Sequence, residues 1–323
     1  MRKIGIVGLG VIFQQHLKAL EEVSDLFTVV MLYDKDPFKV TQALDLCRNI
    51  RGMEAAQGAG SLDDLLKTEL DSVVVATPPA SHYNIVECCM TAHKNVLLEK
   101  PADVSIQKLA RLFDLADKQR CLLHVAFHAA YAADLLWFLQ HRPAIENQFC
   151  LGQLRGIECR FSDPYVVDGV LTEGRDALGG SYLDSTVNEL SVCAALVNLQ
   201  DFHTDSFETK ILSADNTSTV VASFLRLVNG RGFSISCHTD WTDGQNSKKT
   251  KLIYDDGFVL LNHSLQSVYV GNSNLLYDNS AYPRLIAQYV NLYRDYSLYL
   301  DRQKTNRKDS MAIHDCLLRD YLQ

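Results

Sequence analysis

Long apolar runs are absent from this sequence. No stretch approaches the roughly 18 apolar residues of a membrane-spanning helix, so no span and no membrane partner are expected. The N-terminus has no leader pattern either. Met1-Arg2-Lys3 runs straight into Ile4-Gly5-Ile6-Val7-Gly8, which reads as a strand and turn. Cysteine pairs are missing as well. The nine cysteines (47, 88, 89, 121, 150, 159, 193, 237 and 316) are odd in number and scattered, with no C-x-x-C. Most lie in apolar segments, where a thiol behaves as a small hydrophobe. That usage suits a reducing cytoplasm rather than a disulfide framework. No His/Cys/Asp cluster has metal-ligand spacing, so no metal is expected. There is also no dense basic block. Residues 1–123 carry 14 Lys/Arg against 16 Asp/Glu, and residues 124–323 carry 17 against 23. Neither half is basic, which argues against nucleic acid as a partner. The Lys248-Lys249-x-Lys251 cluster reads as a solvated turn.

What is present is an ordinary globular composition. Hydrophobic residues make up 47% and charged residues 22% of 323 positions, enough for two domains with substantial cores. The first third alternates strand and helix patterns. Strands are expected at 3–7, 26–33, 72–76, 95–98 and 121–127, and helices at 11–23, 37–48, 82–92 and 106–118. This is the signature of βαβ units and a parallel sheet. After about residue 128 the pattern becomes a helix at 131–141, a strand at 153–161, a turn-rich stretch at 163–180, a helix at 184–197 and four or five consecutive strands. Those strands predict a mostly antiparallel sheet. Two helices, 282–302 and 310–321, close the chain. The expected architecture is α/β: a doubly wound Rossmann domain over 1–123 and an α/β domain with an open sheet over 124–323.

Three motifs carry chemistry. Gly8-Leu9-Gly10-Val11-Ile12-Phe13 follows the first strand and opens a helix. Gly8 permits the tight turn, and Gly10 lets backbone approach a pyrophosphate that the helix N-terminus attracts. Phe13 replaces the usual third small residue and needs its own pocket. Asp34 ends the second strand 24 residues after Gly10, where a carboxylate binds ribose hydroxyls and repels a 2′-phosphate. The expected cofactor is NAD or NADP, with NAD favoured; Lys35 next door softens the preference. Next, Glu99-Lys100-Pro101 ends the fifth strand, at the edge of the sheet where such folds bind ligands. A lysine there can accept or donate a proton, although a surface lysine at a strand end is the simpler reading. The third motif is Gly179-Gly180-Ser181-Tyr182-Leu183-Asp184, with Asn188 four residues on and hence on the same helix face. The carboxylate and amide can bind adjacent hydroxyls, or Asp184 can simply cap the helix.

The order and spacing of these motifs, with the Thr77-Pro78-Pro79-x-x-His82 turn, resemble the glucose–fructose oxidoreductase / inositol dehydrogenase / MocA family over essentially the whole chain. The resemblance implies hydride transfer between NAD(P) and a carbon of a sugar or cyclitol. It implies Lys100 and Asp184 as the catalytic pair with Asn188 beside them. Cofactor contacts are implied at Gly8, Gly10, Val11, Ile12, Asp34, Lys35, Thr77, Pro78, His82, Glu99 and Lys100. It also implies a homo-oligomer, dimer or tetramer, made through the second domain's sheet. The Asp184-x-x-x-Asn188 pattern, Phe127-His128-Ala129-Ala130-Tyr131-Ala132, Asp240-Trp241 and the Tyr289–Tyr296 helix resemble the galactose and arabinose 1-dehydrogenases within the family, which oxidise an aldose at its anomeric carbon. Substrate contacts are then expected from His128, Tyr165, Arg175, Asn188 and Trp241. For His128 and Trp241 a packed core position is the competing reading. Asp168, Glu173 and Asp176 fill the loop where those enzymes carry other residues. An inositol 2-dehydrogenase-like enzyme acting at another carbon, and a non-catalytic NAD(P)/sugar sensor, remain as alternatives.

Overall fold

The computed structural model describes residues 1–175, 178–214 and 217–321. The chain forms two compact units, one of Met1–Phe127 with Leu285–Met311, the other of His128–Arg284 with Ala312–Gln323.

The first unit alternates β1 (Arg2–Val7), α1 (Phe13–Glu22), β2 (Phe27–Tyr33), α2 (Pro37–Cys47), β3 (Gln57–Gly58), α3 (Leu62–Lys67), β4 (Ser72–Val75), α4 (His82–Thr91), β5 (Asn95–Glu99), α5 (Ile106–Gln119) and β6 (Leu123–Ala126). The strands form one parallel sheet in the order β3-β2-β1-β4-β5-β6, the doubly wound arrangement expected. Its central strands are apolar without alternation because both faces are covered; Ser72–Val75 is wholly buried. The helices begin where short polar side chains stand in for missing backbone partners. Asp36 accepts from Phe38 N before α2, Ser61 from Asp64 N before α3, and Ser105 from Lys108 N before α5. In α5 the residues Leu109, Leu112, Phe113 and Ala116 recur at helical spacing and are all buried, each large one contributing about 1.5–3 kcal/mol. The two-residue strand β3 has too little pattern to be read from sequence.

The second unit contains α6 (Ala133–Gln148), β7 (Leu154–Ser162), a small hairpin of β8 (Val166–Val167) and β9 (Val170–Leu171), α7 (Val187–Leu196), and then β10 (His203–Ala214), β11 (Thr217–Val228), β12 (Ser234–Asp240), β13 (Ser247–Tyr254), β14 (Gly257–Asn262), β15 (Ser267–Val270) and β16 (Asn274–Asp278). Its eight-stranded sheet runs β10-β11-β12-β7-β13-β14-β15-β16. Only the β12–β7 pairing is parallel, so the sheet is mostly antiparallel as expected. The hairpin lies in the stretch read as loop. Asp168 and Gly169 both take left-handed backbone, at φ 50° and 77°, the conformation a two-residue hairpin turn demands. α6 continues to Gln148, seven residues past the expected end, and carries Pro143 inside it. The strands at 267–270 and 274–278 were not anticipated.

Lys248 is a correction. It is buried on β13, not in a solvated turn, and its ammonium lies 2.5 Å from Asp163 and 2.5 Å from the Ser162 carbonyl. Strand alternation explains this, since Lys248, Thr250, Leu252 and Tyr254 share the inward face. Two helices follow, α8 (Arg284–Arg302) and α9 (Arg307–Leu318). From Leu285 onward α8 belongs to the first unit.

Candidate functional site

In the first unit the candidate residues cluster at the carboxyl ends of β1, β2, β4 and β5, around the point where strand order reverses between β1 and β4. Ligands bind doubly wound sheets there. Gly8 sits at φ 94°, and a Cβ on it would lie 2.6 Å from the Ala76 carbonyl and 2.7 Å from Thr77 N. Only glycine fits. A Cβ on Gly10 would meet nothing of the chain within 4 Å, so that side of the loop is open. Asp34 holds the loop in place. Its Oδ2 accepts from Leu9 N at 2.8 Å and its Oδ1 from Asp36 N at 3.0 Å. Val11 is exposed, Ile12 opens α1, and no side chain caps that helix. Phe13 found its pocket and is buried. A tight glycine turn, an open Gly10 and an uncapped helix start fit a dinucleotide pyrophosphate.

His82 is wholly buried, with Nε2 2.7 Å from the Thr77 carbonyl and Nδ1 3.1 and 3.2 Å from the Pro101 and Ala102 carbonyls. Burial pulls its imidazole below the ordinary range, against the pull of those carbonyls and Glu99. Both ring nitrogens thus face backbone carbonyls. His82 thereby ties the Thr77-Pro78 turn to the turn after Lys100, as a positioning group. Glu99 is buried within a second network. Its Oε1 accepts from Tyr289 Oη at 2.7 Å and lies 3.2 Å from His16 Nε2, and its Oε2 accepts from Lys100 N at 3.2 Å. His16 Nδ1 lies 2.8 Å from Tyr293 Oη. The two tyrosines come from α8, far off in sequence, which is why the network could not be read from local pattern.

In the second unit, Gly179 and Gly180 take φ 79° and 89°, and a Cβ on Gly180 would lie 2.8 Å from the Val220 carbonyl. The pair turns the chain into a wide helical turn, Tyr182–Thr186, that feeds α7. Asp184 lies in this turn. Asn188 Nδ2 donates to the Asp184 carbonyl at 3.1 Å, so the two residues are one turn apart as expected. Asn188 Oδ1 is buried and has no hydrogen-bond partner among the described residues. The next residue, Ser185, is anchored from beneath: its hydroxyl donates to Asp163 Oδ2 at 3.3 Å and accepts from Trp241 Nε1 at 3.3 Å. Trp241 is fully buried, with the Tyr165 ring packed edge-on at 5.1 Å. The Arg175 guanidinium lies 4.1 Å from the Tyr165 ring centre. Burial, then the charges of Asp163 and Asp184, push the Tyr165 hydroxyl up to about 12, while Arg175 and Arg284 oppose them. Tyr165, Arg175, Asp184 and Arg284 therefore share one neighbourhood. Sequence reasoning missed Asp163, Lys248 and Arg284 here; strand alternation at Lys248 was the one available signal. His128 is buried in the turn His128–Tyr131, which packs on α7. Asp176 lies outside the described residues.

A shallow cavity of about 570 Å³ lined by Asp63, Lys67, Glu87, Cys88 and Thr91 lies among α3, α4 and α5, and none of the motif residues lines it. Among the described residues no helix is long and apolar enough to cross a membrane.

Residues 2–127 match the oxidoreductase family with an NAD-binding Rossmann fold. The rhizopine catabolism protein MocA of Rhizobium meliloti is 26% identical over 188 residues, 58% of this chain and 54% of that protein. An inositol 2-dehydrogenase/D-chiro-inositol 3-dehydrogenase of Lactiplantibacillus plantarum is 29% identical over 146 residues, 45% of this chain and 40% of that protein. The chain spans about half or less of the length of the curated relatives it matches. Among solved structures, a 3-ketoreductase from Actinomadura kijaniata in complex with NADP and TDP-benzene shares the fold, with a TM-score of 0.77, 18% identity, and coverage of 97% of this chain and 94% of that one. The likeness to the glucose–fructose oxidoreductase / inositol dehydrogenase / MocA oxidoreductases thus lies in residues 2–127, the NAD-binding Rossmann fold.

Proposed function

We propose that this chain is an NAD(P)-dependent oxidoreductase acting on a hydroxyl-bearing carbon of a sugar or cyclitol, and most specifically on C1 of an aldose. The observation that carries the sugar reading is Asn188. Its buried Oδ1 is left without a partner, one turn from Asp184, and a buried acceptor of that kind needs a donor. A substrate hydroxyl is such a donor. The inositol dehydrogenase relative supports the substrate class. The Asp184-x-x-x-Asn188 pattern supports the aldose.

When bound, the nicotinamide supplies the electron-pair acceptor, or the donor in the reverse direction. The chain's own groups do the rest. The Gly8–Ile12 turn and Asp34 hold the dinucleotide, with Lys35, Thr77 and Pro78 at neighbouring strand ends. Asp34 favours NAD by accepting from ribose hydroxyls and repelling a 2′-phosphate. Lys100 or Asp184 takes the hydroxyl proton, Asn188 orients hydroxyls, and Tyr165, Arg175 and His128 read the remaining substituents. Trp241 supports Tyr165 from below. In this reading the protein is a cytoplasmic homo-oligomer, assembled through the second unit's sheet.

The test is reduced-cofactor absorbance with purified protein, NAD and NADP offered separately, and galactose, arabinose, glucose, xylose, fucose and myo-inositol as substrates. Turnover on an aldose that is lost in Lys100→Ala supports the proposal. Turnover on inositol alone moves the reaction to another ring carbon. Cofactor binding with no turnover across the panel favours a sensor on the same fold.

A further inference from the structure

The second unit brings together three cysteines that sequence spacing keeps apart. Cys159 lies on β7, Cys237 on β12 and Cys193 on α7. β7 and β12 pair in parallel with Cys159 and Cys237 as direct neighbours, and Cys193 reaches down from the helix above. The Sγ atoms of Cys159 and Cys193 are 3.6 Å apart, and all three sulfurs lie within 4.8 Å of one another. All three residues are fully buried, at no more than 1% exposure.

This geometry is close to what a thiophilic cation requires. Zinc–sulfur bonds of about 2.3 Å in a tetrahedral site put neighbouring sulfurs roughly 3.8 Å apart. A second group faces the same region. Glu189 stands one helical turn before Cys193 and is fully buried, although its carboxylate is not within 4.8 Å of all three sulfurs. One of its oxygens, Oε1, accepts from His238 N at 3.2 Å, whereas Oε2 is buried with no hydrogen-bond partner among the described residues. On the sheet side, Thr250 is the β13 neighbour of Cys159. Its Oγ1 lies 3.3 Å from Cys159 Sγ and 2.9 Å from His263 Nε2, and His263 Nδ1 lies 2.7 Å from Asp134. The Thr250 hydroxyl is placed as an outer group that holds a metal-bound thiolate would be.

We propose that Cys159, Cys193 and Cys237 form a structural three-thiolate site for one zinc-like cation in the second unit. Each ligating thiol gives up its proton to solvent as the ion enters, so loading is pH-dependent. The site is closed on all sides, so it has no open position for substrate, and it acts through stability. It is independent of the oxidoreductase reading.

The test uses the full chain, without a histidine tag, from zinc-replete cells. Elemental analysis should find about one zinc per chain, retained against chelator in the folded protein and released on unfolding. Protein unfolded in chelator and refolded with Co²⁺ should show thiolate-to-cobalt charge-transfer absorption. Cys237→Ala should weaken retention by more than the roughly 10–100-fold that an outer-shell change costs, while Cys88→Ala, at an exposed thiol, leaves it unchanged. Should Cys237→Ala fail to fold, the wild-type stoichiometry and cobalt spectrum decide the matter. Protein that carries no zinc and takes up none on refolding overturns the proposal. So does zinc retained equally in Cys237→Ala, or a disulfide between two of the three cysteines in the purified chain.

Discussion

Glu99 accepts the Tyr289 hydroxyl at 2.7 Å across 190 positions of sequence, and the same carboxylate accepts the backbone N–H of Lys100. The strand end that presents Lys100 is thus held by a helix from the far end of the chain. Tyr289→Phe removes one hydrogen bond to a buried carboxylate. We expect a loss of about 1.5–3 kcal/mol in stability and a fall in kcat larger than any rise in KM. Denaturant melts and steady-state kinetics read both. Unchanged kcat would show that Lys100 does not depend on this network.

The two loop glycines should separate. At Gly8 a Cβ collides with backbone at 2.6 Å, so Gly8→Ala lowers both stability and cofactor affinity. At Gly10 a Cβ meets nothing of the chain, so Gly10→Ala leaves the melting temperature in place and weakens cofactor binding, by about tenfold for each 1.4 kcal/mol of lost contact. Nicotinamide fluorescence titration and thermal melts distinguish the two. Equal cofactor affinity in Gly10→Ala and wild type would put the dinucleotide elsewhere.

Lys248→Met strands Asp163 in a buried site. Burial lowers the Lys248 ammonium from its usual range and Asp163 opposes that shift, so the pair depends on mutual contact. The single substitution should cost about 3–5 kcal/mol, and Asp163→Leu added to it should recover part of that. Urea midpoints of the single and double variants provide the comparison. Full additivity would mean that the ion pair contributes nothing.

Acid should destabilise the first unit through His124. Burial draws this imidazole on β6 from 6.5 down to about 3, so it is neutral when folded and gains a proton on unfolding between those values. Its contribution is complete above about pH 6.5 and is lost as pH falls toward 3, at up to about 1.4 kcal/mol per unit. Burial also lowers His82, which adds in the same direction. In His124→Phe the slope of stability against pH should shrink by one proton across that window. An unchanged slope would mean His124 is already protonated in the folded chain.

Much of this was legible because local pattern and fold agree. Alternating buried strands and amphipathic helices gave the Rossmann order, and Gly8, Asp34 and Lys100 fall at its strand ends because chain direction fixes which end of a parallel strand is which. Lys248 was misread because a run of lysines outweighed the period-2 pattern of its strand. The Glu99–Tyr289–His16 network and the three-cysteine cluster were invisible for another reason. Each joins residues from separate elements, and no spacing rule reports a contact made by topology alone.

The return of the chain into the first unit at Leu285 sets an order on folding. On the ribosome, residues 1–127 can assemble their parallel sheet early, but His16, Ser72 and Glu99 must wait for Tyr293, Tyr296 and Tyr289 from a helix made more than 150 residues later. Until then their polar groups lack those partners, and the apolar surface that α8 will cover stays open to water and to chaperones. A fragment ending at Phe127 would carry every motif proposed to hold the cofactor and still lack the α8 tyrosines that pair with His16, Ser72 and Glu99.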